Sequence, residues 1–140
     1  TLGGIVSIKG DDYEKTNGFP NLWAWGFEDN MFQDRVKACG LHIDRSVFYP
    51  IMDKNILQLT DGLNRIVNRG EHDKVVIQKT IDGVNTITDI KYEYDEENNY
   101  INITGFKSLT EPNSKNNRIH DMRKGNTVFK KRRGKMSMLL

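Results

Sequence analysis

Between positions 17 and 30 the chain reads Asn-Gly-Phe-Pro-Asn-Leu-Trp-Ala-Trp-Gly-Phe-Glu-Asp-Asn, and this stretch constrains the fold more than any other. Asn17-Gly18 stops whatever helix precedes it, and Pro20 keeps the following segment irregular. Met31, Phe32, Val36 and Cys39 then recur near helical spacing, with Gly40 where a left-handed C-terminal cap belongs. The spacing predicts a helix over 29–39. Glu28 and Asp29 fall at its N-terminus, where the helix dipole favours ionised carboxylates. Two indoles, Trp23 and Trp25, are thus delivered beside two carboxylates at a loop-to-helix junction. Indole faces pack against the axial C–H groups of a pyranose, and a neighbouring carboxylate accepts hydrogen bonds from hydroxyls and can take a proton. The plainer alternative is that Glu28 and Asp29 are ordinary first-turn residues and that both indoles belong to a core.

The remaining sequence divides by pattern. Gly3-Gly4-Ile5-Val6-Ser7-Ile8 reads as a short strand, and Asp11 as the cap of a helix through Tyr13 to Lys15. Leu41, Ile43 and Val47-Phe48-Tyr49 read as a buried strand ended by Pro50. Residues 74–81, 84–94 and 100–106 alternate apolar and polar side chains and predict a three-stranded antiparallel meander. Asp82-Gly83 is expected as its tight turn and 95–99 as its polar loop. From residue 110, Pro112 and a run of Asn and Ser lead into a basic stretch read as a mobile tail. These signals give an α+β chain with segments 1–67, 68–109 and 110–140.

Composition excludes several chemistries. With 140 residues the chain is long enough for one domain with a core. A net charge of +2 does not mark a polyanion binder, although Glu93, Asp95, Glu96 and Glu97 cluster and Lys130-Lys131-Arg132-Arg133 makes the end basic. No aromatic residues interleave with that basic run, so nucleic-acid contact is not expected of it. Cys39 is the single cysteine, which forbids an internal disulfide and leans towards a reducing compartment. No apolar run approaches the ~20 residues of a membrane helix. Neither a zinc spacing nor a phosphate-binding glycine loop is present. The richness in Asn, Lys and Ile matches AT-rich genomes such as those of large DNA viruses and protists.

The ordered run Gly3-Gly4, Asn17-Gly18-Phe19-Pro20, Trp23-Ala24-Trp25-Gly26-Phe27-Glu28-Asp29, Gly40 and Asp61-Gly62-Leu63-Asn64 resembles the C-terminal, acceptor-side half of the β-1,4-galactosyltransferase family, with approximately the same motifs in the same order. The resemblance covers residues 1 to about 67, a single-domain stretch at most. It implies part of a GT-A (Rossmann-like) fold that transfers a hexose or N-acetylhexosamine from a nucleotide sugar to a sugar acceptor with inversion. By motif position Asp29 would be the catalytic base, with Trp25, Gly26, Glu28, Asn30 and Gly4 binding substrate. Phe27 stands where the family has glycine, Asn30 where it has a third acidic residue, and Thr1-Leu2 where it has an aromatic pair. Mn²⁺ is implied as cofactor, but the family's Met-x-x-His has only Met52-Asp53-Lys54-Asn55 as a counterpart, so no ligand is assigned; Asp53 and His42 are substitutes to consider. The resemblance also implies a preceding nucleotide-binding half as partner, since no Asp-x-Asp occurs here. The competing expectation is a non-catalytic binding or structural module derived from that fold, with a virus among its expected sources.

Overall fold

A computed structural model describes residues 1–50, 53–57, 62–74, 82–109, 111–125 and 127–129. They form a mixed helix and strand arrangement of the α+β class: helices α1 (Gly10–Lys15), α2 (Glu28–Ala38) and α3 (Arg69–Asp73), and strands β1 (Asn64–Asn68), β2 (Ile87–Asp95), β3 (Tyr100–Ser108) and β4 (Asn117–Asp121). The strands make two separate antiparallel pairs, β1 with β4 and β2 with β3. No helix among the described residues is long and apolar enough to cross a membrane.

Helix α2 is the centre of packing. Phe32 and Val36, four residues apart on one face, are buried, with Phe32 fully enclosed. Phe19 stacks on Phe32 at a 4.3 Å centroid distance and Tyr13 of α1 tilts against it at 5.6 Å. Burying a side chain of this kind contributes roughly 1.5–3 kcal/mol. The helix ends as its sequence requires: Gly40 at φ 71 lets its own N–H reach the Lys37 carbonyl and the Leu41 N–H reach that of Val36. Helix α1 begins two residues earlier than expected, with Lys9 rather than Asp11 preceding it and no side-chain cap. Asp11 instead joins the first turn, and Asn17 and Gly18, at φ 60 and 61, turn the chain away after it.

Three further expectations meet a different structure. Segments 3–8 and 41–49 are not strands: no partner strand lies beside them among the described residues, and Ile5 and Val47 are 81% and 75% exposed. A local alternation without a partner leaves backbone groups unpaired, so it does not make a strand. Of the meander, β2 and β3 form a hairpin with a register shift between Thr88 and Tyr92, while 75–81 lies outside the described residues. Asp82-Gly83 is not a hairpin turn. Gly83 is extended, and Val84–Thr86 forms a 3-10 turn packed on the loop after α1. There the Val84 N–H donates to the Asn17 carbonyl, the Asn85 N–H to Asn17 Oδ1, and Asn21 Nδ2 to the Gly83 carbonyl and Thr86 Oγ1. A Cβ on Gly83 would collide with the Asn17 backbone oxygen. Arg35 of α2 clamps the junction by donating to the carbonyls of Asn17, Gly18 and Asp82. Burial lowers its pKa, against the opposing pull of Asp82 and Tyr13.

Within the expected tail, residues 111–125 are ordered differently, while 126 and the basic run from 130 to 140 lie outside the described residues. Asn117–Asp121 pairs with β1, from Asn64 opposite Asp121 to Asn68 opposite Asn117. Asn68, buried, donates to the Asn113 carbonyl and Asn117 Oδ1, and the Met122 N–H donates to the Leu63 carbonyl. A strand partner far away in sequence supplied the order that composition alone argued against.

Candidate functional site

The Trp-rich loop is fixed by backbone hydrogen bonds to elements that follow it in sequence. The Trp25 N–H donates to the Ile66 carbonyl of β1 at 2.9 Å, and the Trp23 N–H to Glu71 Oε2 of α3 at 3.0 Å. Glu71 is buried and its other oxygen lies 2.8 Å from Lys74 Nζ. This pairing offsets the cost of burying a carboxylate. The two indoles have separate tasks. Trp23 lies parallel to Phe106 of β3, 6.3 Å away, whereas Trp25 is 40% exposed and faces an open cleft.

That cleft has a volume of about 410 Å³, within the range of small-molecule sites. Trp25, Gly26, Phe27, Glu28, Asp29 and Asn30 line one part of it. Glu71 and His72 of α3, with Thr127, Val128 and Phe129, line the rest. The first group is the loop-to-helix junction singled out by sequence, now closed into a concave site. The second group carried no sequence signal. Glu71 and His72 sit in a five-residue helix with no apolar periodicity, and 127–129 fell in the expected tail.

Within the junction, the Glu28 side chain folds back so that Oε2 accepts the Gly26 N–H at 3.1 Å, which steadies the loop. Asp29 sits in the first turn of α2. Its carboxylate is packed against the backbone of Gly3, where a Cβ would collide with Asp29 Oδ2. Gly3 is therefore the glycine that the carboxylate requires. Gly4, the expected binding residue, does not line the cleft; it adopts φ +80 with open space where a Cβ would stand.

Phe27 is the least comfortable residue of the site. It precedes α2 at φ 75, ψ −10, a left-handed conformation in which a bulky residue is strained by roughly 1–2 kcal/mol. The family that the sequence resembles has glycine here, and this backbone explains why glycine suits the position. The Phe27 and His72 rings meet edge to face at 5.1 Å, and His72 in turn meets Phe129 at 4.9 Å. The guanidinium groups of Arg69 and Arg118 lie over Phe129 at 5.2 and 4.7 Å.

His42 and Asp53 do not line the cleft. His42 is exposed, and Asp53 Oδ1 accepts from the Asn55 backbone and side-chain N–H groups. Met52 lies outside the described residues. Among the described residues no three His, Cys, Asp or Glu side chains stand together to hold a metal ion, so the donor set does not fit the implied Mn²⁺.

Residues 1–55 match a galactosyltransferase family model. Its description reads N-terminal domain of galactosyltransferase, so the assignment of this segment to a C-terminal, acceptor-side half rests on motif order. Over 45 residues the chain is 46% identical to human beta-1,4-galactosyltransferase 3, a stretch that covers 31% of this chain and 12% of that protein. Over the same length it is 40% identical to mouse and 36% identical to Drosophila melanogaster beta-1,4-galactosyltransferase 7, covering 14% of each. The chain thus matches about an eighth of the length of these curated relatives. No solved structure gave a significant match. The matches support a glycosyltransferase family for the segment that carries the Trp-rich loop and α2.

Proposed function

We propose that the cleft is the acceptor side of an inverting glycosyltransferase, which moves a hexose or N-acetylhexosamine from a nucleotide diphosphate sugar to a sugar hydroxyl. The observation that carries this reading is the position of Asp29: a first-turn carboxylate lining the same cleft as an exposed indole, inside the segment that matches the family. In the proposed reaction the acceptor oxygen attacks the anomeric carbon as the bond from that carbon to the diphosphate breaks. The nucleoside diphosphate departs with the electron pair, and Asp29 takes the acceptor proton. Trp25 offers a face to the acceptor ring, while Glu28 and Asn30 bind its hydroxyls. A nucleotide-binding half in GT-A style completes the donor site in this reading. No step is routed through a metal.

The test is turnover by the protein as its source produces it, with a panel of nucleotide sugars and pyranoside acceptors. Replacing Asp29 with Asn keeps the shape and removes the base, and we expect kcat to fall by about 10²–10⁴-fold. Full activity in that variant would overturn the assignment of the base. Sugar binding without any turnover would leave a sugar-binding module.

A further inference from the structure

We infer that Phe27 is a second stacking residue of the acceptor site, and that α3 and residues 127–129 exist partly to hold its ring. The inference rests on the acceptor-site reading above and deepens it. A bulky side chain at φ 75 is disfavoured, and this junction accommodates glycine readily; nevertheless the chain places an aromatic ring there and leaves it 43% exposed along the cleft. The ring is not loose. His72 stands against it edge to face at an interplanar angle of 77°, and Phe129 against His72 at 65°. Phe129 is in turn covered by Arg69 and Arg118, and Arg118 also donates to the Val128 carbonyl. Because its own ring is so engaged, Phe129 acts as a buttress, and Phe27 carries the open aromatic surface.

The ligand that fits is a ring with an apolar face and a polar rim. The same cleft sets Glu28, Asp29 and Asn30 next to Phe27, so a pyranoside can lay its C–H face on the ring while its hydroxyls reach carboxylate and amide oxygens. Trp25 and Phe27, two positions apart, would then grip one acceptor from the same loop. The Phe27 ring narrows this site and selects an acceptor flat enough to stack.

The experiment measures binding of the methyl β-glycosides of glucose, N-acetylglucosamine and galactose to the 140-residue chain by isothermal calorimetry, with indole fluorescence as a second readout. Phe27→Gly relieves the backbone and removes the ring; Phe27→Leu keeps bulk and strain without aromaticity; Phe27→Tyr keeps the ring. We expect the Gly and Leu variants to lose affinity by about tenfold or more and the Tyr variant to stay within about threefold of the parent. The thermal midpoint of the Gly variant should not fall, which separates a binding role from a structural one. Undiminished affinity in the Gly and Leu variants, or equal loss in the Tyr variant, overturns the stacking role and leaves the cleft reading intact. A parent chain that binds none of the three glycosides also overturns it, while the transfer reaction still stands or falls on turnover and Asp29→Asn.

Discussion

Around α2, Phe32 is fully enclosed, Phe19 and Tyr13 pack against it, and Arg35 satisfies three carbonyls at once. Along β2 and β3, Tyr92, Tyr94, Ile101 and Ile103 share one face of the hairpin, and each is more than half exposed. The first region is held by side chains from three separate segments, the second by its own backbone ladder and cross-strand pairs. The difference teaches where the family likeness is anchored. The matched segment is the one whose packing is non-local and dense, and the cleft hangs from it. The hairpin meets the Trp-rich loop at Phe106, which lies behind Trp23.

The largest expected effect lies in the dense region. Phe32→Ala should cost about 3–5 kcal/mol, read as a shift of the urea midpoint, because it empties the place where Tyr13 and Phe19 converge. A loss below about 1 kcal/mol would mean that the region relaxes as easily as the hairpin and that the contrast is false. In the hairpin, Tyr94→Thr removes a half-exposed ring opposite Ile101 and should cost at most about 1 kcal/mol. Amide exchange should quicken along β2 and β3 and stay unchanged in α2; exchange quickening in both would show that the regions are one cooperative unit.

The smallest effect concerns pH. Asp121, at the end of β4, is lowered from 3.8 to about 2, chiefly by the hydrogen bonds of the Arg123 side chain and backbone N–H. A folded pKa below the unfolded one contributes stability above pH ~3.9, and that contribution is lost as pH falls from there through about 2. Arg123 is exposed and Asp121 partly so, and water screens the pair, so the effect should be slight and should shrink with added salt. Carbon NMR of the Asp121 carboxyl group gives its midpoint directly. A value near 3.8 would remove this tie from the β1–β4 pair.

Much of the α2 region was legible because its signals are local. Apolar residues at helical spacing, Gly40 as terminator and acidic residues at the start need no knowledge of distant contacts, and the structure places each of them as read. The loop before α2 was singled out from equally local signals, and residues 25–30 line the cleft. Misreadings arose where a local pattern needs a distant partner. Alternation at 3–8 and 41–49 resembled strands without one, while 117–121 looked like tail yet found β1. The two Asp-Gly-x-Asn runs, Asp61 to Asn64 and Asp82 to Asn85, are nearly alike in sequence. The second docks on the loop after α1, where Gly83 meets Asn17.

The sequence by itself determined the helix α2, its capping and the cluster of indole and carboxylate at its start, because dihedral preference, spacing and the helix dipole act within a few residues. Only the tertiary structure decided that Trp23 supports while Trp25 faces the cleft, that Gly3 rather than Gly4 meets Asp29, and that Phe27, His72 and Phe129 form one wall. Those facts depend on which distant segments occupy the same space, and close packing, not local preference, selects among them.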